Sequence, residues 1–368
     1  MANHSIVRRL IRDSLRTWVS EMHIDGFRFD LAAVLNRDED GTPLKNPPLL
    51  WEIESDPVLA PTKIIAEAWD IEQYKLGSFV GDRWAEWNGR FRDDVRQFVK
   101  GDKGLAGTIS QRLLSSPDLF GTERKRDPNR SINFITCHDG FTMNDLVSYN
   151  EKHNLANKED NRDGTNANYS WNSGTEGDTE KQEIENLRAK QVRNFLTLLM
   201  ISQGTPMMLM GDEVRRTQNG NNNAYCQDNE IGWFDWDLVE KHSDTLAFTK
   251  RLIQFNLSTP YFQENHFWNH GSETQVIWHG TKLNQPDWSY HSHTLAFTLN
   301  NPAYDHQLHI IVNAFWEPLE FELPPIENRS NNLWELLVDT SFDQQEEQVI
   351  DRFNYTAKER SVVVLRCG

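Results

Sequence analysis

Residues 21–32 read EMHIDGFRFDLA, an apolar run with an arginine and an aspartate at its centre. Charged side chains are rarely buried without a partner. Read as a strand, the stretch puts Phe27 and Phe29 on one face and Arg28 and Asp30 on the other. Two readings are open. Arg28 and Asp30 fill a polar hole in a core as an ion pair, or a guanidinium holds a functional carboxylate ionised at a strand end. The neighbouring segments decide between them.

Upstream, residues 5–22 repeat apolar side chains at helical spacing, from Ile6 and Leu10 through Leu15 to Trp18 and Met22. Downstream comes a Pro/Gly-rich stretch at 36–61, expected as a loop, and a short strand, KIIAEAW, at 63–69. Residues 82–100 hold an extended piece near Ala85–Asn88 and then a helix. SINFITCHDG, 131–140, is an apolar strand ending in polar groups. Residues 151–178 are rich in Asn, Asp and Gly and read as a long loop, of a kind that carries function or moves. A helix over 179–202 stops at Gly204 and Pro206, PMMLM at 206–210 is one more strand, and a further helix lies near 243–257.

Beyond residue 259 the pattern changes to short β-rich runs, among them TLAFTLN, LHIIVNAFW and SVVVLRC, separated by turn residues. The predicted architecture is α/β: a partial (β/α)8 barrel over 1–258, about five strands of its second half, followed by an all-β sandwich over 259–368.

One spacing sharpens the barrel reading. Asp30 and Glu67 lie 37 residues apart, about one βαβ step, and Glu67 and Asp139 lie 72 apart, about two. Three carboxylates thus fall at the C-terminal ends of three strands, where a βα barrel gathers its catalytic groups. Independent structural ion pairs have no reason to keep step with the strand repeat. A retaining glycosidase needs an ionised carboxylate nucleophile and a carboxyl acid about 5–5.5 Å from it. Arg28 beside Asp30 favours the ionised form there. Glu67, among apolar neighbours and near Trp69, is expected to be desolvated and to keep a proton. Asp139 can stabilise positive charge or fix hydroxyls, and His138 can hydrogen-bond a sugar.

Each residue also has a plain structural use. Glu67 can cap the helix that follows it, and His138–Asp139 can be a local turn network. Trp51, Trp69, Trp84, Trp87, Trp171, Trp233 and Trp236 lie in or near loops, and most are expected to be packing residues, with one or two as sugar platforms.

The chain has 368 residues and is 38% hydrophobic, enough for a sizeable core, and no run approaches the length of a membrane span. A net charge of −17 argues against a nucleic-acid partner. Cys137, Cys226 and Cys367 are unclustered, and no signal peptide is visible, which together lead to the expectation of reduced thiols in a cytoplasmic protein. No cofactor and no metal are expected.

DGFRFDLA, IIAEAWD and INFITCHDG resemble three motifs of the α-amylase superfamily, glycoside hydrolase family 13. GNNNAYCQDNEIGWFDW, 220–236, PPLLWEIESDP and GDRWAEWNGRFRDDVR look like its isoamylase and bacterial glycogen-debranching branch, and GTPMMLMGDE resembles the segment around the last barrel strand. The resemblance implies Asp30 as nucleophile, Glu67 as acid/base, Asp139 as transition-state stabiliser, and Arg28, His138 and Trp69 as substrate-binding residues. It implies hydrolysis of α-1,6 branch linkages in a branched α-glucan such as glycogen, amylopectin or limit dextrin. A non-catalytic glucan-binding subunit, and an α-1,4-acting amylase or glucanotransferase, stay open beside it.

The family's motif at the third barrel strand has no match. About five strands are present where a closed barrel needs eight, so the chain is expected to be the C-terminal part of a longer enzyme. An open sheet exposes an edge that closed barrels avoid, which predicts poor activity and a tendency to aggregate for the chain alone.

Overall fold

A five-stranded parallel sheet in sequential order organises the first part of the chain: β1 (Gly26–Phe29), β2 (Lys63–Ala66), β3 (Trp84–Trp87), β4 (Ser131–Phe134) and β5 (Thr205–Met207). The computed structural model describes residues 2–121, 127–326, 333–342, 348–350 and 353–368. Helices fill most of the crossovers, as parallel pairing requires. Gly89–Lys100 and Ala106–Leu113 lie between β3 and β4, and Gln182–Ile201 lies between β4 and β5. The β2–β3 crossover, residues 67–83, holds no helix.

Two differences from the sequence reading have clear causes. The stretch 36–61 is not all loop: Pro48–Ser55 is a helix, with Pro48 in the first turn where its missing N–H costs nothing, and Leu49, Leu50 and Ile53 buried on one side. Helix Ser5–Ser20 is present, but its apolar residues divide into two stripes. Ile11, Leu15 and Val19 pack on the sheet layer, whereas Ile6, Leu10 and Trp18 are exposed.

Side chains alternate across the sheet. Phe27, Phe29, Ile64, Ala66 and Trp84 pack together on the helix side. Ile65, Ala85, Trp87, Ile132, Phe134 and Met207 gather on the opposite face. Every residue of β4 is buried, while every residue of the outer strands β1 and β5 is only half-buried. Among the described residues, no strand pairs with the outer side of either.

The second part is antiparallel. Strands β6 (Gln275–His279), β7 (Thr294–Asn300), β8 (Gln307–Asn313), β10 (Trp334–Asp339), β11 (Gln348–Ile350) and β13 (Ser361–Cys367) form one sheet in the order β11-β10-β13-β8-β7-β6. Strands β9 (Leu319–Glu322) and β12 (Asn354–Ala357) form a second. Phe321, Trp334, Ile311 and Leu365 fill the layer between them, giving the sandwich.

The two parts share apolar packing. Phe297, Ile310, Val312 and Val364 of the large sheet belong to one buried cluster with Phe195, Leu199, Phe248 and Leu252 of helices Gln182–Ile201 and Ser243–Ser258. Polar bonds reinforce the seam: Arg193 donates to the Thr340 carbonyl at 2.9 Å and Asn194 to the Arg360 carbonyl at 2.9 Å. None of the three cysteines forms a disulfide. No helix among the described residues is long and apolar enough to cross a membrane.

Candidate active site

Phe29 and Ala66 are register partners at the ends of β1 and β2. Asp30 and Glu67 are the next residues, so they leave the sheet side by side. The main chains stay linked past the strands: the Glu67 N–H donates to the Phe29 carbonyl at 3.1 Å and the Ala32 N–H to the Glu67 carbonyl at 2.9 Å. Leu31, with φ of +40°, then turns the chain into the 3-10 helix Ala32–Asn36.

Arg28 joins the two carboxylates. One arm of its guanidinium donates to Asp30 Oδ1 at 2.9 Å. The other meets Glu67 Oε1, and Glu67 Oε2 accepts the Leu31 N–H at 2.9 Å. The planar fork of arginine suits such bridging. Glu67 is 4% exposed, whereas the Asp30 side chain is 73% exposed. Glu67 is buried, and a cation and a backbone amide reach it in addition to its apolar neighbours, because Arg28 shares its face. Glu67 also anchors the turn at Leu31, and the expected cap on a following helix is corrected, because residues 67–83 hold no helix.

Strand β3 supplies the floor. Arg28 Cζ lies 4.4 Å from the Trp87 ring centroid, and the His138 ring meets the same indole edge-on at 5.7 Å. His138 Nε2 is 3.6 Å from Asp139 Oδ2, and single ligand atoms of Glu67, His138 and Asp139 all lie within 4.8 Å of one another. That spacing would also suit a metal ion, but Arg28 already places a positive charge on Glu67 and opposes a second cation. Trp69 stacks on Tyr74 at 5.9 Å, with 12° between planes, and packs in the same apolar cluster as Trp87. All six expected site residues thus gather around the ends of β1, β2 and β4.

A cleft of about 390 Å³ adjoins Asp139 and is lined by Arg92, Arg96, Tyr169 and Asn222. Arg96 donates to the Ile135 carbonyl through Nε at 2.8 Å and Nη2 at 2.6 Å, which fixes the end of β4. Burial pulls the Arg96 guanidinium down to about 10. A larger cleft of about 700 Å³, near Arg188, Arg215 and Trp233, includes none of the six site residues.

Sequence reasoning missed two contributors. The sequence leaves Trp87 undistinguished among seven tryptophans in or near loops, most expected to pack and one or two to be sugar platforms, although its place three residues after Trp84 puts it on the opposite face, with Ala85. Asn222 lies within the segment 220–236 that carries the resemblance to the debranching branch. Its signal was three successive asparagines, 221–223, facing another Asn-rich segment at 151–168. Of the other tryptophans, Trp84 is core, while Trp233 and Trp236 are exposed.

A five-stranded sequential parallel sheet with carboxylates at its strand ends, followed by a β-sandwich, is the architecture of a partial (β/α)8 barrel with an appended β domain. Comparison with solved structures agrees on the fold: pullulanase from Bacillus acidopullulyticus superposes with a TM-score of 0.73 at 20% identity, over 100% of this chain and 40% of that one. The family model for isoamylase 1-3, C-terminal, matches residues 277–361. Isoamylase 3, chloroplastic, of Oryza sativa subsp. japonica is 44% identical over 358 residues, covering 96% of this chain and 44% of that protein. The glycogen debranching enzyme of Erwinia tasmaniensis is 43% identical over 320 residues, covering 85% of this chain and 46% of that protein. The chain belongs to the isoamylase and glycogen-debranching branch of the α-amylase superfamily and corresponds to its C-terminal portion. It spans less than half the length of these curated relatives.

One expectation is overturned here. The rice relative, like isoamylases of Arabidopsis thaliana and Zea mays, is chloroplastic by name, so cysteines outside disulfides do not assign the chain to the cytoplasm.

Proposed function

We propose that this chain carries the catalytic carboxylates of a retaining glycoside hydrolase that cleaves α-1,6 branch linkages in glycogen or a related α-glucan. The observation that carries the reading is Arg28, which ties Asp30 and Glu67 together at the ends of neighbouring parallel strands. Names of relatives support the linkage: isoamylase, glycogen debranching enzyme and pullulanase.

In the first half-reaction the Glu67 carboxyl protonates the glycosidic oxygen. The C1–O bond breaks and the Asp30 carboxylate takes C1 as a glycosyl ester. In the second, Glu67 accepts a proton from water, the water oxygen bonds to C1, and Asp30 leaves as carboxylate. Loading the proton on Glu67 requires Arg28 to release Oε1, which leaves the guanidinium to Asp30 alone. Asp139 lies against the developing positive charge, and His138 and Trp69 hold the sugar. We place the boundary between catalytic barrel and sandwich after residue 258.

The open sheet leads us to expect slow turnover from the chain alone and full turnover when the sheet is closed. The test uses the chain as it is and a fusion behind the preceding segment of the rice isoamylase. Reducing-end release from limit dextrin, with linkage analysis of the products, should show α-1,6 cleavage by the fusion. Asp30→Asn and Glu67→Gln should abolish it while glucan binding persists. Cleavage of α-1,4 bonds, or unchanged turnover in Asp30→Asn, would refute the reading.

A further inference from the structure

Lys152 is 9% exposed, and its ammonium donates to three consecutive main-chain carbonyls: Arg162 at 3.3 Å, Asp163 at 2.8 Å and Gly164 at 3.1 Å. An ammonium has three donors and no acceptor, so this tripod satisfies it completely. A ring of carbonyl oxygens is the environment that proteins give to a bound hard cation. Here the cation is a side chain.

The folded loop around Lys152 grips Asn222. Asn154, fully buried, accepts the Asn222 N–H at 2.9 Å and donates to Asn222 Oδ1 at 2.9 Å. Asn222 Nδ2 donates to the Thr165 carbonyl and to Asn168 Oδ1, both at 2.8 Å. The Asn222 carbonyl in turn accepts the Gly140 N–H at 3.0 Å. Gly140 follows Asp139 and has φ of +89°, which glycine adopts without a Cβ penalty.

We propose that Lys152 is a positioning residue: an internal cation that folds the 151–168 segment onto Asn222 and so fixes the Asp139–Gly140 main chain. The value of that role rests on Asp139 being a site residue, but the contacts do not. Removing the ammonium leaves three carbonyls converging on a point with no donor, at a cost comparable to losing charged hydrogen bonds. The segment then loses its hold on Asn222, and Gly140 loses its acceptor.

The test is amide hydrogen exchange on the full chain. Lys152→Met keeps the stem and removes the charge. Exchange at Gly140 and Asn222 should rise about tenfold or more, while helix Gln182–Ile201 and the sandwich keep their protection. Should that variant fail to fold, Lys152→Arg keeps the charge but offers a planar fork instead of a tripod, and should raise the same two amides alone. In Lys152→Ala, propylammonium should restore protection, and tetramethylammonium, which has no N–H, should not. Unchanged exchange at Gly140, a rise that the helix shares equally, or no rescue by propylammonium would each overturn the proposal. Failure to cleave glucan would count against the reading of Asp139 and would leave these exchange results untouched.

Discussion

Arg28 reaches over β2 from β1 to lie 4.4 Å from the centroid of Trp87 on β3. The indole therefore fixes the height of the guanidinium that serves both Asp30 and Glu67. Cation–π contacts at partly desolvated sites contribute about 1–2 kcal/mol beyond packing. Trp87→Ala should lower unfolding stability by about 3–5 kcal/mol, and Trp87→Phe by less than half of that. Urea denaturation measures both, and equal losses in the two would show that the ring does not hold Arg28.

Arg28 is the cation on buried Glu67, so removing it strands a carboxylate. Arg28→Met should cost about 3 kcal/mol. Glu67→Gln should recover most of that loss when added to Arg28→Met. A double-mutant cycle by chemical denaturation gives the coupling, and additive effects would contradict the observed bridge.

In the sandwich, His279 Nδ1 accepts the Asn284 N–H at 2.9 Å, so its proton sits on Nε2, 3.0 Å from Thr298 Oγ1. That hydroxyl lies 2.9 Å from His309 Nδ1 and donates to it. Burial pulls His279 down to about 4 and His309 to about 3. Both are neutral when folded, whereas an unfolded histidine takes its proton near pH 6.5. Stability is therefore full above about pH 6.5 and falls as pH drops below it, by about 1.4 kcal/mol per unit per histidine, down to the folded values. Urea midpoints at pH 7.5 and 5 should differ accordingly, and His309→Gln should reduce the difference.

Asp212 behaves in the opposite sense. Burial pushes its carboxyl up to about 6, against the pull of Thr136 and the Met143 N–H. The protonated form is favoured on folding, so its contribution is present below the usual carboxylate value near 3.8 and is lost as pH rises through about 6. Asp212→Asn, with the Thr136 hydroxyl turned to accept, should stabilise the chain at pH 8 by on the order of 2 kcal/mol and change little at pH 4. A stability gain equal at both pH values would refute this.

The outer strands differ in how they meet other chains. Pro206 in β5 has no N–H to offer, and edge prolines discourage further pairing. Strand β1 has no such block, so self-association is expected there. Sedimentation velocity should show oligomers growing with concentration, and Ile24→Lys, just ahead of β1, should suppress them.

The strand ends were legible because carboxylates recur in step with the βαβ repeat, and Phe27/Phe29 against Arg28/Asp30 gave the two faces directly. Helix Pro48–Ser55 was not, since prolines and glycines around it outweighed a short apolar stripe. The exposure of Ile6 and Trp18 was hidden for another reason: helical spacing marks an apolar face but not whether anything covers it. The Arg28–Glu67 contact and the Lys152 cradle join residues far apart in the chain or run to main-chain atoms, and neither leaves a mark in composition. Thiol usage misled on compartment, because a reduced cysteine is equally at home in several of them.

Helix Gln182–Ile201 packs against the large antiparallel sheet, with Leu198 and Val312 lining a common crevice. The sandwich is consequently no detachable appendage. Heat should melt both halves in a single transition, and a chain cut after Ser258 would turn a greasy helical layer to water. Sequence drift at such a seam has to be matched on both sides, so exchanging sandwiches between distant relatives should fail unless the helix travels with them.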